Sequence, residues 1–185
     1  MMMKSTIYSI GHGNKTIEEF LKELKSFDID FLVDIRSKPF SKWSPQFNQT
    51  SLQLEVEREH IKYVFLGDKL GGLPDDRSCY DSEGKVVYGF MKNKIFFQEG
   101  LKRLIVANNK AIKVAIMCSE SKPEECHRSK LIGEELLDNF NISVNHIIAE
   151  NRIKSQEVVI GELTNGFGLV DLFGNKTDFT SRKSY

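Results

Sequence analysis

The chain has 185 residues, of which 40% are hydrophobic and 28% charged, and its 26 basic and 26 acidic side chains give a formal net charge of zero. That length carries one domain with a full core, and the balanced charge supplies no global basic field for nucleic acid. Three irregularly spaced cysteines make no disulfide framework and no apolar run reaches membrane-spanning length, so a cytoplasmic protein with reduced thiols and no membrane partner is expected.

The N-terminus lacks the layout of a signal peptide. Residues 6–10 read as the first strand, closed by the turn Gly11-His12-Gly13-Asn14. Thr16 fits an N-cap with Glu19 at the capping-box position, and Ile17, Phe20, Leu21, Leu24 and Phe27 recur at helical spacing. His12 therefore falls at the carboxyl end of strand one. The glycines beside it either let backbone approach a ligand closely or simply make a tight turn.

Residues 31–35 read as a second strand interrupted by Asp34, a carboxylate that needs a partner if buried; Arg36 and Arg128 are the candidates. Arg36 and Ser37 follow the strand. Residues 41–47 form a loop carrying Lys42, Trp43 and Phe47, suited to a substrate lid or to an Ω-loop packed by its own aromatics. A helix over 50–60 and a third strand over 61–66 come next. Gly67 then opens a glycine-rich turn whose spacing differs from the known phosphate loops. Residues 75–85 read as a surface excursion in which Cys79 is incidental, and 88–108 as one helix burying Phe90, Met91, Ile95, Phe97 and Leu101.

The chemistry concentrates in residues 113–137. Val114 to Met117 is an apolar run of the kind buried on both faces of a sheet. It ends at Cys118, before Glu120, Cys126, His127 and Arg128. Ser121 and Glu124 fit a capping box with Pro123 in the first turn, although a helix starting near Cys126 fits as well. Ser129, Ile132, Gly133, Leu136 and Phe140 form its inward stripe. A free helix N-terminus beside thiols and Arg128 favours an anion and lowers a thiol pKa, while Glu120 opposes this. Buried Cys is more often a small hydrophobe, and that reading stands beside the functional one.

Residues 143–148 read as a fifth strand. Strands alternating with helices in this rhythm imply right-handed crossovers: a three-layer α/β fold with a mainly parallel central sheet of about five strands and helices on both faces. Residues 1–150 form the domain, and 151–185 an extension with a short hairpin from 158–160 and 168–172 and a frayed tail over 175–185.

Four separate motifs carry a family resemblance. They are Ser9-Ile10-Gly11-His12, Val33-Asp34-Ile35-Arg36-Ser37 with Pro39, the segment from Tyr63 through Gly72, and Cys118-x-Glu120-x-x-Pro123-x-x-Cys126-His127-Arg128. In this order they resemble the domain of unknown function 488 family (DUF488), which implies an α/β fold but no activity. A weaker likeness of layout joins Asp34-Ile35-Arg36 and the Cys118 to Arg128 loop to rhodanese-type and Cys-dependent enzymes, whose Cys-to-Arg interval is about half as long.

The residues thus point to an anionic small molecule, a phosphate, nucleotide or sulfur species, at the carboxyl edge of the sheet. Cys118 is the expected nucleophile, His127 or His12 the proton carrier and Asp34 the orienter. Arg36 and Arg128 are the expected anion clamps, with Ser37, Glu120, Cys126, Gly11 and Gly67 around the ligand. A non-catalytic anion-binding module uses the same loops. No cofactor is expected. Cys118, Cys126, His127 and His12 are zinc-type donors, but Cys-x7-Cys-His matches no standard closed site. Nothing in the sequence specifies an oligomeric state.

Overall fold

Strand β1 (Ile7–Gly11) lies at the centre of one sheet and is buried along its whole length. The computed structural model describes residues 5–170, 173–176 and 178–185. Among these, β2 (Phe31–Asp34), β3 (Lys62–Phe65), β4 (Val114–Cys118), β5 (Asn145–Ala149) and β6 (Arg152–Ser155) complete the sheet in the order β3-β2-β4-β1-β5-β6. The first five strands run parallel, and β6 pairs antiparallel with β5. The three-layer α/β expectation holds, with one antiparallel edge strand added.

Alternation along the strands divides the core in two. Ile7, Val33, Val114, Ile116 and Cys118 point into one apolar layer, and Tyr8, Ile10, Leu32, Ala115 and Met117 into the other. Helix α1 (Ile17–Lys25) covers the second layer, and its capping box forms as expected: the Thr16 hydroxyl accepts from the Glu19 N–H and the Glu19 carboxylate from the Thr16 N–H. Helix α2 (Gln49–Arg58) covers the same face with Leu52 and Val56. A short helix α3 (Gly67–Leu70) follows β3.

The expected single helix over 88–108 is two, α4 (Tyr88–Lys92) and α5 (Ile95–Asn109). Met91 and Phe97 both reach the core, yet six positions apart they lie on different sides of a continuous helix. The extended backbone at Lys94 resets the phase, leaving Phe90 and Ile95 outside.

Ser121 does not cap a helix. Pro123–Glu125 is a 3₁₀ turn, Arg128–Gly133 a π-helix, and α6 (Glu134–Phe140) continues it to a left-handed Asn141. Ile132 and Leu136 are buried as expected, whereas Phe140 is exposed.

The C-terminal region departs from expectation. Ser155 caps helix α7 (Gln156–Leu163), so Val158 to Ile160 are helical rather than part of a hairpin strand. Of the second expected strand, Val170 bridges Lys176, and residues 171 and 172 lie outside those described. The tail is held rather than frayed. Tyr88 N–H donates to Phe179 O at 3.0 Å, Ser181 N–H to Val86 O at 2.9 Å, and Tyr185 N–H to Gly84 O at 2.8 Å.

Candidate functional site

Strands β1 and β4 are parallel neighbours in register, with Gly11 opposite Cys118. Past their ends the pairing continues, as His12 N–H donates to Cys118 O at 3.2 Å and Gly13 N–H to Ser119 O at 3.0 Å. From β1 the chain turns to α1 on one face, and from β4 to α6 on the other. A crevice opens where neighbouring strands send their connections to opposite faces, the usual ligand position in an open α/β sheet.

At this point Cys118 and Cys126, both free, bring their sulfurs within 2.7 Å. Arg128, fully buried, donates from Nη1 to the Cys118 sulfur at 2.7 Å and to Glu120 O at 2.7 Å, and from Nη2 to Ser121 O at 2.9 Å. One guanidinium thus folds the Cys118–Cys126 loop around itself. Its partners are a thiol and two carbonyls, and a guanidinium cannot shed its charge. Gly11 is required beneath it: a Cβ there would lie 1.8 Å from Glu120 O and 2.6 Å from Arg128 Nη1.

Burial pushes the Cys118 thiol well up, the neighbouring Cys126 adds to this, and the Arg128 cation opposes it. His127 Nδ1 lies 3.5 Å from the Cys126 sulfur, and burial pushes the imidazole pKa down, so His127 is a neutral base at pH 7. Burial works against ionisation of Glu120, yet its own backbone N–H and the neighbouring His127 hold the carboxyl below its ordinary range.

The second cluster stands on β2. Arg36 grips buried Asp34 with two bonds, Nε to Oδ1 at 2.9 Å and Nη2 to Oδ2 at 2.6 Å, and reaches Phe47 O at 2.8 Å. Tyr63, missed in the sequence, donates its hydroxyl to Asp34 Oδ2 at 2.7 Å. Of the two cations offered for Asp34, the structure pairs it with Arg36. His12 stacks on the Phe47 ring at 4.5 Å between centroids, and its Nδ1 donates to Gly13 O at 2.9 Å. Burial lowers its pKa. Gly67 passes so close to this loop that a Cβ would stand 2.0 Å from Arg36 O.

Between the clusters lies a cavity of about 210 Å³ whose wall includes Cys118, His127, Arg36, Ser37 and Glu120. His12, Asp34, Cys126, Arg128, Gly11 and Gly67 stand outside that lining. The Ser37 hydroxyl accepts from Leu73 N–H at 3.0 Å and fixes the glycine-rich turn to the wall. Sequence reading missed Lys38, Tyr88, Arg182, Lys183 and Tyr185, which also line it. Tyr88 keeps its proton, because burial raises its pKa. Arg182 pairs with Glu125 at 3.2 Å.

Cys118, Glu120 and Cys126 place three potential metal-ligand atoms within 4.8 Å of one another. The Arg128 cation donating to the Cys118 sulfur repels a divalent ion there, and His12 does not join the group. Elsewhere Ser9 Oγ and His146 Nδ1 are 2.6 Å apart, His146 Nε2 and Gln156 Oε1 are 2.6 Å apart, and Gln156 Nε2 donates to Ser129 O at 3.1 Å. These four residues are fully buried, so the serine–histidine pair ties the π-helix to β1 and β5 instead of meeting a substrate.

No match was found among curated proteins or among solved structures, and no rhodanese-type or phosphatase relative appears. The model of one family, described as domain of unknown function DUF488, matches residues 16–133, which include β2, the Asp34–Arg36 pair and the whole Cys118 to Arg128 loop but neither His12 nor the tail. With the four sequence motifs laid around a single crevice, the chain belongs to the DUF488 family.

Proposed function

We propose that the chain is an enzyme in which the Cys118 thiol acts on a small anion, a phosphate, nucleotide or sulfur species, held at the carboxyl edge of the sheet. The observation that carries this reading is Cys118 in a cavity wall, its sulfur 2.7 Å from the Arg128 guanidinium. The same wall holds Arg36, Lys38, Arg182 and Lys183 against Glu120 and Glu125; Asp34 engages Arg36 and Glu125 engages Arg182, which leaves Lys38 and Lys183 against Glu120. Surplus positive charge in a small cavity favours an anionic ligand.

In this reading Arg36 and Lys38 bind the anion, and Asp34 positions Arg36 through its two hydrogen bonds. Cys118 attacks the phosphorus of a phosphoester or phosphoanhydride: the S–P bond forms, the P–O bond to the leaving group breaks, and the thiol proton leaves on the departing oxygen, with neutral His127 in the same wall as proton carrier. Arg128 stabilises the negative charge that develops on sulfur, offsetting burial. Tyr88 and Ser37 offer hydroxyl donors to the bound anion.

The near-complete burial of Cys118, 1% exposed, favours a second reading, a binding module that senses the anion without chemistry. Calorimetric titration with inorganic phosphate and pyrophosphate tests the shared part: saturable binding, weakened in Lys38→Glu and kept in Cys118→Ser, is expected. Absence of saturable binding contradicts both readings. Cys118 fully inert to alkylation in a protein that binds pyrophosphate leaves only the module.

A further inference from the structure

Beyond the anion reading, and independent of it, we propose that Cys118 and Cys126 form a redox-active dithiol that reduces a small hydroperoxide and closes to an internal disulfide. The first observation is proximity: the two sulfurs lie 2.7 Å apart and both are free. Buried cysteines are ordinarily small hydrophobes, and both lie in the same apolar layer as Cys79, but this pair also adjoins the permanent Arg128 cation.

The second observation is asymmetry. Cys118 lines the cavity, whereas Cys126 stands outside its lining. Cys118 ends β4, where its register with Gly11 fixes it, while Cys126 sits in extended backbone between the 3₁₀ turn and the π-helix. Cys118 is the residue placed to meet an incoming molecule, and Cys126 the one to follow. With Cys118 only 1% exposed beside a cavity of about 210 Å³, the oxidant must be small.

In the first step the Cys118 sulfur attacks one peroxide oxygen. The S–O bond forms, the O–O bond breaks, and the departing oxygen takes the thiol proton, leaving a Cys118 sulfenic acid and water or an alcohol. In the second step the Cys126 sulfur attacks the Cys118 sulfur. The S–S bond forms, the S–O bond breaks, and the hydroxyl leaves as water with the Cys126 proton, which passes through His127 Nδ1 at 3.5 Å. Two thiols supply the two electrons that the peroxide takes up. A dithiol reductant returns the pair to its starting state by exchange.

Arg128 serves both steps. Its Nη1 stabilises negative charge on Cys118, and its backbone N–H faces the Cys126 sulfur at 3.5 Å. Cys79, buried in the same apolar layer but away from this pair, provides an internal control.

The test treats the full chain with stoichiometric hydrogen peroxide, unfolds it in N-ethylmaleimide and maps the peptides by mass spectrometry. The expected product has lost two hydrogens, carries a Cys118–Cys126 crosslink, keeps Cys79 alkylated, and reverts with dithiothreitol. Cys126→Ser is expected to stop at a Cys118 sulfenic acid trapped by dimedone, and Cys118→Ser to leave Cys126 reduced. Both thiols alkylated in the treated wild type, or Cys118 driven to sulfinic acid beside a free Cys126, overturns the proposal. Crosslinking in a protein that binds neither phosphate nor pyrophosphate keeps this proposal and removes the anion reading; binding without crosslinking does the reverse.

Discussion

Arg128 donates one guanidinium nitrogen to the Cys118 sulfur at 2.7 Å and spends its other bonds on the Glu120 and Ser121 carbonyls, so a single buried side chain sets both the thiol and the loop above it. Replacing it with methionine leaves two carbonyls without their donor. Arg128→Met is expected to lower stability by on the order of 3 kcal/mol. It should also raise the Cys118 pKa further, because the cation that opposes burial is gone. Urea unfolding and the pH dependence of alkylation measure the two effects, and an unchanged pair of values contradicts this role.

Asp34 presents a second dependence. It is fully buried and takes bonds from Arg36 and Tyr63, so Asp34→Ala strands a guanidinium that is only 6% exposed. The expected loss is about 3–5 kcal/mol, the range for breaking one partner out of a buried ion pair. Tyr63→Phe removes one bond to a carboxylate and should cost about 2 kcal/mol. Equal stabilities for Tyr63→Phe and wild type in urea would show that the hydroxyl does not brace Asp34.

His146 gives stability a pH dependence. Burial pushes its pKa down from 6.5 to about 3. Between those values the unfolded chain binds a proton that the folded chain refuses, so stability is full above about pH 6.5 and falls as the pH drops toward 3. The slope is about 1.4 kcal/mol per pH unit, giving a loss of about 2 kcal/mol by about pH 5. His12 and His127 are displaced in the same direction and add to it. Denaturation midpoints that stay level over this interval would contradict the assignment.

The layered sheet was legible because strands such as Val114 to Met117 are short, wholly apolar and separated by helical periodicity. The clustering of the candidate-site residues was legible because they are local in sequence: Cys118, Cys126 and Arg128 lie within one loop, and Asp34 and Arg36 are two residues apart. What was not legible depends on distant partners. Ser9 and His146 meet across 137 positions, and Tyr63 reaches Asp34 from the next strand. Residues 178–185 carry too little apolar periodicity to show an element, and their order comes from backbone bonds to residues 84–88. The break at Lys94 was hidden because Ile95 continues the helical spacing of Met91, and only burial of Phe97 shows the phase change.

The tail makes a prediction of its own. Ser181, Arg182, Lys183 and Tyr185 close one side of the cavity beside Cys118. A chain ending at residue 177 should expose the thiol, raising its alkylation by neutral iodoacetamide on the order of tenfold. Lys183→Gln, which leaves the Arg182–Glu125 pair intact, should keep the wall in place but weaken pyrophosphate binding. A truncated chain that alkylates at the wild-type rate would show the tail to be no part of the cavity.

The most direct test of a cationic pocket around a usable thiol compares the alkylation of Cys118 by anionic iodoacetate and neutral iodoacetamide, followed by mass spectrometry with and without phosphate. Saturating labelling by iodoacetate, faster than labelling by iodoacetamide and suppressed by phosphate, is the predicted result. Faster labelling by iodoacetamide with no effect of phosphate, or a Cys118 inert to both reagents, would contradict it.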